Sequence, residues 1–220
     1  MLGSGWATRL ESVASALLSV DSSGTMASFR QSVPSLCRYL DLLVDWNSRL
    51  DLTAARSEDE LVDVALADAL VLASATAAQT PGRPPPRWVD VGSGAGAPAL
   101  VLALLRPDLE LTLIEPKSKR VAFLRTCAGA LGLGNVEVRR CRAEQLDAQS
   151  YDVALSRATL PPDLWLSEGA RLAHQSIWVL IARGAAPLSE DLRLADDRSY
   201  RWPLTGSARR ALRYEATSCS

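Results

Sequence analysis

The chain has 220 residues, 48% of them apolar, enough for one globular unit with a sizeable core and a small N-terminal elaboration. Its 24 basic and 25 acidic side chains give a net charge of -1 and a pI near 5.9, which excludes a protein held to nucleic acid by overall charge; any RNA contact has to come from a local basic face. Cys37, Cys127, Cys141 and Cys219 are scattered, without a C-x-x-C pair and with His174 as the single histidine, which argues against zinc and against a disulfide framework and for a reduced cytosolic protein.

The apolar stretch Val13 to Val20 is approached through Glu11 and closed by no small-residue cleavage site, so it reads as a helix or a loose leader. No uncharged apolar run reaches the ~18 residues of a membrane span. The richest stretch, Val62 to Ala78, contains Asp63 and Asp68, so a soluble cytoplasmic protein is expected. From Phe29 to Leu50, Val33, Leu36, Tyr39, Leu40, Leu43 and Trp46 recur at three and four positions, the pattern of an amphipathic helix with Pro34 near its start. Ser57 with Glu60 forms a capping box that opens a second helix through Leu61, Val64, Leu66 and Leu70.

Pro81-Gly82-Arg83-Pro84-Pro85-Pro86 breaks the chain, since proline neither continues a helix nor donates to a sheet. Strands and helices then alternate. Strands are predicted at Trp88 to Val91, Leu111 to Glu115, Val136 to Arg139, Val153 to Ser156 and Ile177 to Ala182. Helices are predicted at Ala97 to Leu105, Lys119 to Leu131 and Leu164 to Ala173, the last placing His174 near a helix end. Such βαβ units imply a mostly parallel, doubly wound α/β sheet. Tyr200 to Leu204 and Ala211 to Ala216, around Gly206, read as a hairpin on its edge.

Trp88-Val89-Asp90-Val91-Gly92-Ser93-Gly94-Ala95-Gly96-Ala97-Pro98 is a strand running into a glycine-rich turn and then a helix. The glycines permit positive φ and close approach of a ligand, and the helix start offers free N–H groups, so a nucleotide-like cofactor fits. Glu115, at the end of the next strand, can accept both hydroxyl hydrogens of an adenosine ribose. The pattern also satisfies the dinucleotide fingerprint, so it leaves NAD and S-adenosylmethionine open. Asp90 favours the latter, because it lies where a methionine amino group would be and would repel a pyrophosphate.

These residues resemble the small-subunit ribosomal RNA guanine-N7 methyltransferases, the RsmG or GidB family. The resemblance runs from about Leu36 to Gly184. It rests on Tyr39-Leu40-x-Leu42-Leu43-x-x-Trp46-Asn47 with Leu52-Thr53-Ala54, on Asp90 to Gly96 with Pro98, and on Glu115-Pro116-x-x-Lys119-Arg120-x-x-Phe123-Leu124-Arg125. Arg142-Ala143-Glu144 and Ser156-Arg157-Ala158 complete it. It implies a Rossmann-like class I methyltransferase sheet of about seven strands. Residues 1–80 would be an N-terminal helical extension, and 87–220 an S-adenosylmethionine-binding domain folded as one compact unit.

By the same resemblance Gly92 and Ala97 would touch the methionine end of the cofactor, Glu115 its ribose, and Ala143 and Glu144 its adenine; Asp90, Gly94, Gly96 and Arg157 complete the expected cofactor-binding set. Arg157 would face both cofactor and target base, with Asp68 near the active cleft, so these two are the candidate catalytic residues. Lys119, Arg120, Arg125 and Arg183 are the candidate RNA contacts. The implied reaction is methylation of a guanine N7 in 16S ribosomal RNA by a metal-free monomer. The sequence departs from the family at Ala65 and Ala69, which flank Asp68 where the family has histidine and serine. It departs again at Ala97 and Ala99, at Arg183-Gly184, and at Thr159-Leu160-Pro161-Pro162 after Arg157-Ala158. Three other readings remain open: an NAD-dependent oxidoreductase, a non-catalytic RNA-binding relative, and a methyltransferase acting on a non-RNA acceptor.

Overall fold

The computed structural model describes residues 5–19, 22–76, 82–182 and 184–217. Four helical pieces precede the sheet: α1 (Trp6–Leu17), α2 (Ser23–Leu50), α3 (Glu58–Val62) and α4 (Asp68–Ala75), with a π-helical turn, Asp63–Ala67, joining the last two. Then come β1 (Arg87–Val91), α5 (Ala99–Leu105), β2 (Glu110–Ile114), α6 (Ser118–Ala130), β3 (Val136–Arg139), a 3₁₀ turn (Ala143–Gln145), β4 (Tyr151–Arg157), α7 (Pro162–Leu172), β5 (Ala173–Ile181), β6 (Leu192–Arg201) and β7 (Ala208–Ala216).

The seven strands lie in the order β3-β2-β1-β4-β5-β7-β6, parallel from β3 through β5, with β7 antiparallel to both β5 and β6. Strand order reverses between β1 and β4, so the crevice at the carboxyl ends of these strands is the place where an open α/β sheet takes a ligand. Alternating side chains divide the core. Trp88, Leu111, Leu155, Trp178 and Leu180 face the N-terminal helices, α5 and α6, while Val89, Ala154, Ile177 and Val179 face α7.

Several sequence expectations change. Of the two readings of the first apolar stretch the helix holds for Val13 to Leu17, which belong to α1 with Trp6, Leu10, Val13 and Ala14 buried at helical spacing; Val20 lies outside the described residues, as do Pro81 and Cys219. The helix predicted from Phe29 begins at Ser23. Only half of the capping box forms. The Ser57 hydroxyl accepts from the Glu60 N–H at 3.1 Å, but the Glu60 carboxylate takes the N–H of Arg56. The C-terminal hairpin starts at Leu192 and inserts β7 between β5 and β6, leaving only β6 at the edge. His174 sits on β5, its Nε2 3.3 Å from an Asp152 oxygen, because the preceding helix ends at Leu172.

Two contacts from α2 hold the glycine loop and the helix α5 that follows it. Fully buried Tyr39 of α2 donates its hydroxyl to the Ala95 carbonyl at 2.7 Å, and Ser32 donates to Leu104 at 3.1 Å. At the end of α2, the Asn47 side-chain oxygen accepts the N–H groups of Leu52 and Thr53, at 2.7 and 2.9 Å. This folds the chain back so that Leu52, Thr53 and Ala54 reach the mouth of the crevice. Among the described residues no helix is long and apolar enough to cross a membrane, and no group of three or more His, Cys, Asp or Glu residues could hold a metal ion.

Candidate active site

The glycine loop leaves β1 in a conformation that its glycines make possible. Gly92, Gly94 and Gly96 have φ of 75°, 54° and 84°, and the N–H groups of Gly92 and Ser93 both reach the Ile114 carbonyl, at 2.9 and 3.1 Å. A Cβ on Gly92 would lie 2.4 Å from the Thr159 hydroxyl, and one on Gly96 would lie 2.3 Å from Leu100 Cδ1. The place above Gly94 is open to 3.7 Å. Gly96 is therefore required by helix packing, and Gly92 by the loop that follows β4.

Beside this loop a cavity of about 650 Å³ opens at the carboxyl ends of the strands. Gly92, Gly94, Ala97, Glu115, Arg120, Arg157 and Asp68 all line it, so the structure brings these residues together from β1, β2, β4, α4 and α6. Glu115 is 3% exposed. One of its oxygens accepts the Gly94 N–H at 3.1 Å and the other the Lys117 N–H at 2.9 Å, which leaves lone pairs on both for further donors.

Asp90 lies beneath the wall rather than in it. It is 2% exposed, and its Oδ2 has no hydrogen-bond partner. Burial pushes its carboxyl up to about 7; neighbouring Ser93 and the Arg157 charge oppose that rise and Glu115 adds to it.

Across the cavity Arg157 is held by two acceptors. Its Nη1 donates to the Val64 carbonyl at 2.8 Å and to Asp68 Oδ2 at 3.0 Å. Val64 lies within the π-helical turn, whose wider winding releases carbonyls from regular helical bonding. Asp68 is 1% exposed, and its second oxygen accepts from the Tyr200 hydroxyl at 2.6 Å and the Trp202 indole at 3.0 Å. The Arg209 guanidinium stacks over the Trp202 ring, 3.5 Å from its centroid, and burial lowers its pKa.

Not every sequence candidate reaches the cavity. Ala143 is buried beside α7, with its carbonyl taken by Arg171 at 2.6 Å, and Glu144 is exposed on the 3₁₀ turn; neither lines the wall. Lys119 and Arg125 are exposed on α6, Arg125 donating to the Val138 carbonyl at 3.2 Å, and Arg183 lies outside the described residues. Sequence reasoning missed Tyr200 and Trp202, which reach Asp68 from the far end of the chain. Their one available signal was the spacing of these two aromatic residues, two apart and so on one face of a strand, before the Gly206 turn.

Residues 32–199 match the family model described as rRNA small subunit methyltransferase G, GidB. The ribosomal RNA small subunit methyltransferase G of Halorhodospira halophila is 45% identical over 123 residues, 56% of this chain and 56% of that protein. Its counterpart in Neisseria gonorrhoeae is 37% identical over 163 residues, 74% of this chain and 75% of that protein. The chain thus spans just over half the length of the first relative and three quarters of the second. Among solved structures, the [4+2]-cyclase SpnF superposes with a TM-score of 0.51 at 17% identity, covering 74% of this chain and 84% of that one, a likeness of fold.

Proposed function

Because the chain belongs to the rRNA small subunit methyltransferase G family, we propose that it transfers the methyl group of S-adenosylmethionine to N7 of a guanine in small-subunit ribosomal RNA, acting as a cytoplasmic monomer. Its fold is the Rossmann-like class I methyltransferase sheet with an N-terminal helical segment. The observation that carries the proposal is the cavity at the strand ends, with glycine loop and Glu115 on one wall and the Arg157–Asp68 pair on the other.

The residues present fit this cofactor. Glu115 keeps acceptor capacity for ribose hydroxyls, and the open place above Gly94 admits close approach to the backbone. Glu115 suits the ribose of either nucleotide cofactor, whereas the Asp90 carboxylate beneath the loop favours a ligand with positive charge and disfavours the pyrophosphate of NAD. When bound, S-adenosylmethionine supplies an electrophilic methyl on a sulfonium.

What the chain itself contributes is alignment. A guanine N7 already carries an available lone pair, so no general base is needed, and proximity with in-line orientation is the main requirement. Nε and Nη2 of Arg157 make no hydrogen bond among the described residues, which leaves them to hold O6 of a guanine while its N7 lone pair stays free for the methyl. The buried carboxylates around the cavity tolerate the positive charge that methylation leaves on the base. In A-form duplex the N7 edge faces a deep, narrow groove, so the target lies in a loop or in RNA not yet fully assembled. Exposed Lys119 and Arg125, with Arg120 at the rim, form the basic face suited to its backbone.

The test is transfer of labelled methyl to purified small-subunit RNA, followed by nuclease digestion and mass identification of the nucleoside. Label is expected in 7-methylguanosine and should fall at least a hundredfold in Arg157→Ala. Tight cofactor binding without transfer to RNA would overturn the ribosomal reading.

A further inference from the structure

We propose that Tyr200 and Trp202, on the C-terminal hairpin, are positioning residues that hold Arg157 ready for the target base by occupying one oxygen of Asp68. The inference rests on the methyl-transfer reading for its chemistry. A guanidinium beside a carboxylate frequently closes a two-point fork when both oxygens are available, because two parallel charge-assisted bonds are stronger than one. Here the fork does not close. Oδ1 of Asp68 is taken by the Tyr200 hydroxyl at 2.6 Å and the Trp202 indole N–H at 3.0 Å, so only Oδ2 is left for Arg157, through Nη1 alone. Nε and Nη2 make no hydrogen bond among the described residues, and Arg157 lines the cavity.

The hairpin is fixed to that task by bonds of its own. At its turn the Thr205 N–H and hydroxyl each reach Asp63 Oδ2 at 2.9 Å, and the Leu204 N–H reaches Oδ1 at 3.3 Å. Asp63 is fully buried at the start of the π-helical turn. On the cavity side, Arg209 lies 3.5 Å over the Trp202 ring and fixes its plane, which keeps the indole N–H on Asp68. Asp63 at the start of the π-helical turn and Asp68 just after it thus clasp the hairpin, and the hairpin in return determines how Asp68 presents itself to Arg157.

The experiment compares wild type, Tyr200→Phe, the double variant Tyr200→Phe/Trp202→Phe, and Tyr214→Phe. Tyr214 serves as the control because it loses a similar hydroxyl bond on the same hairpin, to the Pro187 carbonyl at 2.7 Å, away from the cavity. Methyl transfer to small-subunit RNA is measured at saturating cofactor, alongside nitrogen-15 resonances of the Arg157 guanidinium. Tyr200→Phe should lower kcat about tenfold and the double variant further, with KM for S-adenosylmethionine unchanged. Its Arg157 Nη2 signals should shift as a fork to Asp68 forms, while Tyr214→Phe matches wild type in both readouts. In an Asp68→Asn background the Tyr200→Phe effect should largely disappear, since the two act through one bond.

An unchanged kcat with unmoved Arg157 signals in the double variant overturns the proposal, as does an effect that persists in full without the Asp68 charge. A wild type that transfers no methyl defeats the functional reading instead, and the guanidinium resonances then decide the positioning claim by themselves.

Discussion

Asp90→Asn separates what the first strand gives to folding from what it gives to ligand binding. The Asp90 carboxyl is buried, its Oδ2 lacks a partner, and burial raises its pKa from the ordinary 3.8 to about 7. With the folded value above the unfolded one, the folded chain keeps a proton that the unfolded chain has released, so stability falls as pH rises from about 4 to about 7 and stays low beyond. That gap corresponds to about 4 kcal/mol. Asparagine removes the charge but leaves a buried amide short of partners, at a cost of about 2 kcal/mol. The net gain at pH 8 is about 2 kcal/mol, which in a chain of this size raises Tm by about 4 to 8 °C. At pH 5 the unfolded carboxyl is already ionised while the folded one is not, a loss of about 2 kcal/mol that the cost of asparagine offsets, so the difference should vanish there. Titration calorimetry at pH 8 should meanwhile show S-adenosylmethionine binding weakened at least tenfold, because a negative charge beside a cationic ligand has gone. Scanning calorimetry of both proteins between pH 5 and 8 checks the first half. A Tm difference that ignores pH, or a variant less stable at pH 8, would refute the claim that this charge is unmet in the folded chain.

The glycine loop and the basic face can be tested in the same way. Gly96→Ala puts a Cβ 2.3 Å from Leu100 at φ of 84° and should cost about 3 kcal/mol or more in urea unfolding, whereas Gly94→Ala meets only ordinary contacts, none under 3.7 Å, and should cost only about 1 kcal/mol for its φ. Lys119→Ala and Arg125→Ala should each lower the dependence of log RNA affinity on log salt by about 0.7 to 0.9, the amount that neutralising a single phosphate contributes; slopes equal to wild type in both would remove α6 from the RNA-facing surface.

The parts of the site that could be read in advance are those built over short stretches of chain. The turn from β1 into α5 needs its glycines for backbone reasons alone, and Glu115 follows at the end of the very next strand, so both were legible from spacing. α1 was legible only in part: Trp6, Leu10, Val13 and Ala14 repeat at helical spacing, but the short apolar run by itself suited a helix or a loose leader equally. β6 was hidden for a physical reason. As the edge strand it carries charge along much of its length, Leu-Arg-Leu-Ala-Asp-Asp-Arg-Ser-Tyr-Arg, and little of it is buried, so no alternation announces its first eight residues. Tyr200 and Trp202 depend on that strand to reach an aspartate that is distant in sequence, a pairing no local pattern encodes. The π-helical turn was invisible as well, because its apolar spacing is compatible with an ordinary helix.

That turn behaves like a one-residue insertion in what would otherwise be a continuous helix from Glu58 to Ala75. Each residue of a regular helix advances about 100° around its axis. Deleting one residue between Asp63 and Ala67 would therefore give a smoother helix with one end rotated by about that angle. Either Leu61 and Val62 would leave the core, or Asp68 would leave the cavity along with the Val64 carbonyl that shares its hold on Arg157. A shorter, locally more regular chain would be a less functional one, and length variants of this segment should be far less tolerated than substitutions within it.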